Sequence, residues 1–236
     1  MSRPGRLVLA LDSATEACSA AIARGSEVLA SRHEMIGRGH AQRLLPMVQQ
    51  VLGAVGIALE DLGGIALGRG PGSFTGVRVA FSVGQGLAFG AGLPLLPVSG
   101  LQALALRAHR QHGCRHVMAC LDARMREVYV AGFACTTDLE PILAGSEAVM
   151  APGAVAGRLA AEPGKWYLAG PGAAAYPELR DAQDLASGTD AGLWPDAAEI
   201  ALLGLRMLQR NEGVEPESAR PVYLRNEVAH RGGGPA

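Results

Sequence analysis

The segment at residues 68–78, GRGPGSFTGVR, has the composition and spacing of a loop that could bind an anion. It follows residues 65–67, which are typical of the end of a buried strand, and it leads into a segment typical of a helix. Glycines let the backbone approach another group closely, and the free N–H groups at a helix start can hold a phosphate. The segment therefore predicts either a phosphate-binding loop or a tight turn in which Ser73 or Thr75 caps the helix.

The residue types and spacing of this segment exclude three known sequence motifs. A P-loop requires a lysine after its last glycine, and the only lysine of the chain is Lys165. A nucleophile elbow around Ser73 would need glycine where Pro71 stands. The spacing of the dinucleotide fingerprint is not matched by the glycines at Gly68, Gly70, Gly72 and Gly76. Spacing alone therefore favours the structural turn.

A second group of side chains, at residues 109–120, has the residue types that bind metal ions. Zinc sites use histidine and cysteine at regular short spacings, whereas here the spacing is irregular and the segment joins a predicted helix to a predicted strand. The pattern favours a solvated connector over a metal site. The group consists of His109, His112, Cys114, His116 and Cys120.

The composition predicts a soluble globular protein of the cytoplasm. The 236 residues are 49% hydrophobic, which is enough for a sizeable core, and the formal net charge of -1 offers no long-range attraction to nucleic acid. The four cysteines show neither CxxC spacing nor a disulfide framework, which fits a reducing compartment. Polar residues, glycines and prolines interrupt the uncharged stretch at residues 79–106, so we expect no membrane span.

The hydrophobic pattern of the first half predicts three strands followed by alternating helices and strands. An antiparallel meander that opens an otherwise parallel sheet is the layout of a ribonuclease H-like lobe. The strands are predicted at residues 7–12, 17–24, 27–33, 65–68 and 95–98, and the helices at 40–55 and 75–90.

The second half opens in a similar way, with a predicted hairpin at residues 117–133. A second, degraded lobe of this kind predicts the two-lobed α/β fold of the actin-like ATPases, with mixed sheets flanked by helices. Near the C-terminus, Asp196 and Glu199 have the spacing of a capping box at the start of a last helix. We expect a first lobe at 1–110, a second lobe plus the C-terminal helix at 111–225, and a disordered tail at 226–236.

The predicted helix at residues 75–90 is apolar on nearly all sides, so one side can pack on its own sheet while another needs cover. A helix buried between two layers and a helix that binds another protein explain this pattern equally well. The helix at 40–55 supplies further apolar side chains. The candidate contact residues are Leu45, Val48, Leu52, Val77, Phe81, Gly84 and Ala88. If they form an interface, Val48→Glu or Phe81→Glu is expected to block association and leave the subunit folded.

Four segments together resemble the TsaB family. They are LALDSATEACSAAI at residues 9–22, HAQRLLPMV at 40–48, GRGPGSFTGVRVAFSVGQGLAF at 68–89 and PVYLR at 221–225. The glycine-rich segment with its following helix is the most specific of the four. The resemblance covers most of the chain, and it implies an actin-like fold with two lobes.

The resemblance implies a non-catalytic scaffold subunit of the bacterial machinery that makes threonylcarbamoyladenosine in tRNA. In that family the partners are the related catalytic subunit TsaD and the ATPase TsaE, and the product lies 3′ of the anticodon in tRNAs that read codons starting with A. The two apolar helices are implied to pack against their counterparts in TsaD as a four-helix bundle. Contact with tRNA is then indirect, and a homodimer is expected when the partner is absent.

The chain departs from the catalytic relative where that relative binds its metal. In place of VHHMEGH it reads VSGLQAL, so Ser99, Gly100 and Leu101 stand where imidazoles would coordinate iron or zinc. Ser99 and Gln102 instead have the spacing of a capping box. We therefore expect neither a catalytic residue nor a metal ligand in this chain.

Asp12, Ser13 and Thr15 occupy the turn where actin-like ATPases hold metal and phosphates, and they are the candidates for a nucleotide site. A turn whose side chains bond their own backbone explains the same residues. We expect no firmly bound cofactor on this chain alone, and any ATP or ADP is expected in the complex. Two alternative functions remain, namely an independent actin-like phosphotransferase that binds ATP with magnesium, and a metallopeptidase that holds iron or zinc.

Overall fold

Two successive runs of strands and helices build two lobes, each around its own mixed five-stranded sheet. The computed structural model describes residues 7–135 and 140–225. The tail that the sequence predicts at 226–236 lies outside the described residues.

The first sheet confirms the predicted meander with its parallel extension. It contains β1 (Leu7–Asp12), β2 (Ala17–Arg24), β3 (Glu27–Met35), β4 (Leu62–Gly68) and β5 (Leu95–Val98). Their order is β3-β2-β1-β4-β5, in which the β1–β2 and β2–β3 pairs are antiparallel and the β1–β4 and β4–β5 pairs are parallel. Central strand β1 is buried on both sides, because alternate residues enter different core clusters.

The second sheet repeats the arrangement of the first. It contains β6 (His116–Arg124), β7 (Glu127–Cys135), β8 (Pro141–Met150), β9 (Tyr167–Ala169) and β10 (Gly188–Asp190). Read from β8, the order is β8-β7-β6-β9-β10, and the antiparallel and parallel pairs match those of the first sheet. The repeated topology confirms the two-lobed actin-like fold.

Helices cover both sides of each sheet. On one side of the first sheet lie α1 (His40–Val55) and α2 (Phe74–Ala91), which pack on Leu9, Leu11 and Leu67. Between the sheets lies α3 (Gly100–His112), which packs on β6 and β7. The far side of the second sheet carries α4 (Pro152–Ala161), α5 (Gly172–Ala175) and α6 (Pro177–Asp181). No helix in the described ranges has both the length and the apolar composition of a membrane span.

The C-terminal helix α7 (Ala197–Gln209) packs on the first sheet, not with the second lobe as the sequence suggested. Its small residues allow close contact, since a Cβ added at Gly204 would lie 2.7 Å from the Cβ of Ala66. The buried hydroxyl of Ser19 on β2 accepts a hydrogen bond of 2.9 Å from the N–H of Ala197. The apolar stripe of α7 predicts burial but does not identify the sheet, which explains the error.

The contact between α7 and the first sheet gives a test of packing. We expect Gly204→Ala to lower the free energy of unfolding by about 1–3 kcal/mol, because the new methyl group meets the rigid Cβ of Ala66. Gly157 on α4 is exposed and has open space around it, so Gly157→Ala should raise stability by up to about 1 kcal/mol through helix propensity. Denaturant unfolding of both variants measures the two signs, and equal effects would contradict the packing.

Candidate partner-binding surface and interlobe cleft

The glycine-rich segment folds back onto the turn between β1 and β2. The N–H of Ser73 donates a hydrogen bond of 2.6 Å to the carbonyl of Ala14, and the hydroxyl of Ser13 donates one of 2.8 Å to the carbonyl of Gly76. A Cβ at Gly72 would overlap the backbone of Ala14, and a Cβ at Gly76 would overlap that of Ser13. The glycines are therefore needed for contact with the chain's own backbone.

The start of α2 follows from this contact. Ser73 is the N-cap, and its side chain accepts a hydrogen bond from the N–H of Gly76, which decides between the two predicted caps. The segment thus forms the tight strand-to-helix turn that its spacing favours.

The structure separates the three residues that the sequence proposed for a nucleotide. Asp12 and Ser13 have no exposed surface, because the glycine-rich segment covers them, whereas Thr15 lines the cleft between the lobes. One carboxylate oxygen of Asp12 accepts a bond of 3.4 Å from the N–H of Ala14, and the other has no partner among the described residues. Burial raises the pKa of Asp12 to about 7. The three side chains do not form a common phosphate-binding surface.

A cleft of about 740 Å³ lies between the lobes. Its walls include the N-terminal ends of α1 and α2 and the tip of the β6–β7 hairpin. Arg124 on this hairpin forms an ion pair of 2.6 Å with Glu16 of the first lobe. The residues after α7 form a second tie across the cleft, because Arg225 pairs with Glu127 on β7. Both ties hold the hairpin against the first lobe.

Most residues that the sequence proposed for a partner interface lie inside the first lobe. Leu45 is 43% exposed and Leu52 is partly buried, but the other five residues are buried between the sheet and helices α1 and α2. The buried five are Val48, Val77, Phe81, Gly84 and Ala88. Val48→Glu or Phe81→Glu would therefore place a charge in the core and destabilise the subunit, so these substitutions do not test an interface.

The outward side of α1 and α2 is formed by Leu45, Leu52 and further residues that the sequence did not propose. Phe89 on α2 is 78% exposed, and Leu45 is the large apolar residue of α1 that is exposed, at 43%. The exposed or partly exposed residues on this side are uncharged and include Gln42, Leu45, Gln49, Leu52, Val79, Ser82, Val83, Gly86 and Phe89. We call this set the α1–α2 face. Because α2 is apolar on nearly all sides, its hydrophobic periodicity could not distinguish this face from the core face.

A carboxylate from the second lobe occupies the place where the sequence departs from the metal-binding relative. The hydroxyl of Ser99 donates a hydrogen bond to Glu147 on β8, and Arg69 lies 3.2 Å from the same carboxylate. Ser99 caps α3 as predicted, accepting from the N–H of Gln102. The predicted capping box is incomplete, because the amide of Gln102 donates to the carbonyl of Pro141 instead.

The histidines and cysteines at residues 109–120 point to different partners. His109 contacts the carbonyl of Cys114 at 2.8 Å, His112 lies 3.0 Å from Asp190, and His116 packs against the ring of Trp166. In the part of the chain that the structure describes, no three His, Cys, Asp or Glu side chains are grouped to hold a metal ion. Burial raises the pKa of Cys120 to about 12, so its thiol stays protonated near neutral pH.

Comparison with known families finds one matching family model. Residues 26–231 match the model described as TsaD, tRNA N6-adenosine threonylcarbamoyltransferase. Among curated proteins, the tRNA threonylcarbamoyladenosine biosynthesis protein TsaB of Escherichia coli K12 is 42% identical over 224 residues, which are 94% of this chain and 96% of that protein. The TsaB protein of Haemophilus influenzae is 37% identical over 231 residues, which are 94% of this chain and 94% of that protein.

Solved structures show the same relationship. A Pseudomonas aeruginosa protein described as similar to peptidase YEAZ superposes with a TM-score of 0.83 at 45% identity, covering 93% of this chain and 100% of that one. YeaZ from Pseudomonas aeruginosa gives a TM-score of 0.81 at 44% identity with the same coverage.

The buried Asp12 predicts a specific dependence of stability on pH. Its folded-state pKa of about 7 lies above the ordinary value of 3.8, so the folded protein keeps a proton that the unfolded chain has lost. The contribution of Asp12 to stability is therefore complete below pH 4 and decreases as the pH rises to 7. The decrease is on the order of 4 kcal/mol, from a shift of about three units.

Substitution Asp12→Asn removes this titration and keeps the side-chain shape. We expect the difference in unfolding free energy between variant and wild type to rise in favour of the variant from pH 4 to pH 7 and to level off above. Denaturant unfolding at pH 4, 5.5, 7 and 8.5 measures the difference. Parallel stability curves for the two proteins would contradict an elevated pKa at this position.

Proposed function

Because the chain belongs to the TsaB family of tRNA threonylcarbamoyladenosine biosynthesis proteins, we propose that it acts as a non-catalytic subunit that binds a TsaD-like catalytic subunit through the α1–α2 face. The observation that carries the proposal is this uncharged face, with Phe89 exposed at 78% and Leu45 at 43%. Burial of a large apolar side chain contributes roughly 1.5–3 kcal/mol, so a partner that covers both gains a substantial part of a binding free energy.

Small residues on α2 favour a helix as the covering element. Gly86 and Gly90 are exposed, and a Cβ at either position would meet no atom of this chain within 4 Å. Glycine in a helix costs up to about 1 kcal/mol relative to alanine. This cost is offset where a neighbouring backbone uses the free space, which fits the four-helix bundle implied by the family resemblance.

The proposed role leaves group transfer to the partner. Ser99, Arg69 and Glu147 form a hydrogen-bonded cluster where the catalytic relative would hold its metal. This chain would instead hold its partner in the arrangement that is competent for threonylcarbamoyl transfer, through preferential binding of that arrangement. A TsaE-like ATPase would then act on the complex in the cytoplasm. The substrate of the complex would be tRNA that reads ANN codons. When the partner is absent, the same face would support a homodimer.

Substitution Gly86→Glu tests the face without disturbing the core. The new side chain points into open space, and loss of a helical glycine favours folding, so the isolated subunit should stay at least as stable as the wild type. We expect the variant to lose co-purification with the TsaD-like subunit of the same organism. Gly157→Glu on α4 is the matched control, because Gly157 is also helical, exposed and surrounded by open space. Retention of the complex by Gly86→Glu would contradict the assigned surface.

The tRNA function can be tested in cells that lack their own TsaB protein. We expect the wild-type chain and Gly157→Glu to restore threonylcarbamoyladenosine in bulk tRNA when the cognate TsaD-like and TsaE-like proteins are supplied. Gly86→Glu should leave the modification at the level of the vector control. Mass spectrometry of digested tRNA gives the readout. Full modification without this chain would refute the proposed role.

A further inference from the structure

Arg78 is the only charged side chain on α2, and two aromatic rings hold it in place. Its guanidinium carbon lies 3.5 Å from the ring centre of Phe74 and 5.9 Å from that of Tyr223. Its Nε–H donates a hydrogen bond of 3.1 Å to the hydroxyl of Tyr223. The two rings are 5.3 Å apart between centres. Arg78 is exposed, and among the described residues its two terminal nitrogens make no hydrogen bond, so both are available as donors.

Arg78 and the arginine on the neighbouring helix differ in whether a carboxylate neutralises their charge. Arg43 on α1 donates two hydrogen bonds to the carboxylate of Glu34, so its charge is neutralised within the subunit. Among the described residues, Arg78 has no carboxylate partner, and Tyr223 is its only hydrogen-bond acceptor. The two helices of the α1–α2 face therefore retain one arginine that lacks a counter-ion.

The ring of Tyr223 belongs to a firmly attached segment. The N–H of the preceding Val222 donates a hydrogen bond of 2.9 Å to the carbonyl of Arg69, and the following Arg225 pairs with Glu127. Farther back, the side chain of Gln85 on α2 donates to the carbonyl of Pro216 at 2.8 Å. Because the stack is built from both sides, much of the entropy cost of ordering Arg78 is met before any partner binds.

Arg78 lies at the border of the α1–α2 face, next to Val79 and one helical turn from Ser82. Phe74 is 43% exposed and Tyr223 is 40% exposed, so a body that covers the face also reaches this stack. Removing a guanidinium from water without an opposite charge costs several kcal/mol. A well-fitting partner must therefore supply that charge.

We propose that Arg78 is the charged anchor of this interface and that it binds an aspartate or glutamate carboxylate of the docked protein through its two terminal nitrogens. The proposal rests on the proposed function of the α1–α2 face and adds the chemistry of its partner. The partner surface would combine an apolar helix with an acidic side chain at its border. Bidentate binding of a carboxylate is the geometry that arginine provides and lysine does not.

The test is the affinity for the TsaD-like subunit, measured by calorimetry at 50 and 500 mM NaCl. We expect Arg78→Gln to raise the Kd at low salt by about 30-fold, the effect of losing an interface hot spot. The Kd of Arg78→Lys should lie between that of the wild type and that of Arg78→Gln, because lysine keeps the charge but lacks the planar guanidinium group. The salt dependence of the Kd should be weaker for Arg78→Gln than for the wild type. Arg158→Gln on exposed α4 is the control and should match the wild type in both respects.

The outcomes separate the anchor from the face. Suppose that Gly86→Glu abolishes binding, while the Kd of Arg78→Gln stays within threefold of the wild-type value with the same salt dependence. The proposal that Arg78 is the anchor is then wrong, and the assignment of the α1–α2 face is supported. If the wild-type chain does not bind the TsaD-like subunit, both proposals fail. Thermal unfolding of each isolated variant identifies a purely structural role. If Arg78→Gln unfolds, an Arg78→Lys protein with wild-type affinity and salt dependence overturns the anchor.

Discussion

The contact between the glycine-rich segment and the β1–β2 turn is the constraint on which the rest of the first lobe depends. A backbone hydrogen bond of 2.6 Å and one of 2.8 Å from the Ser13 hydroxyl join two segments that approach closely only because Gly72 and Gly76 have no side chains. The same contact fixes where α2 starts, since the N-cap Ser73 also donates one of the two bonds. It thereby determines which side of α2 meets the sheet and which side meets the solvent.

This contact also explains why Asp12, Ser13 and Thr15 do not form a common phosphate-binding surface in a fold related to ATPases. The turn at Asp12 and Ser13 is filled by the chain's own carbonyl and amide groups, and one oxygen of Asp12 has no partner among the residues at 7–135 and 140–225. Buried polar groups of this kind reduce stability.

The strands, the two main helices and the duplicated topology could be predicted from hydrophobic periodicity, because each element has a clear repeat. The orientation of α2 could not, because residues such as Phe81 and Phe89 are both apolar and only packing distinguishes the buried one from the exposed one. The location of α7 was missed for a similar reason, since its stripe fits either sheet. The stack around Arg78 could not be predicted from the sequence, because Tyr223 is 145 positions away along the chain.

The return of α7 to the first sheet has a consequence for synthesis on the ribosome. The chain leaves the first lobe through α3 and comes back after β10, at a point where His112 and Asp190 lie 3.0 Å apart. The second lobe is thus an insertion with adjoining ends, and its sheet is complete in the nascent chain before α7 emerges. One apolar side of the first sheet lacks the cover of α7 until that helix has been synthesised, so we expect the second lobe to be able to fold before the first lobe is completed.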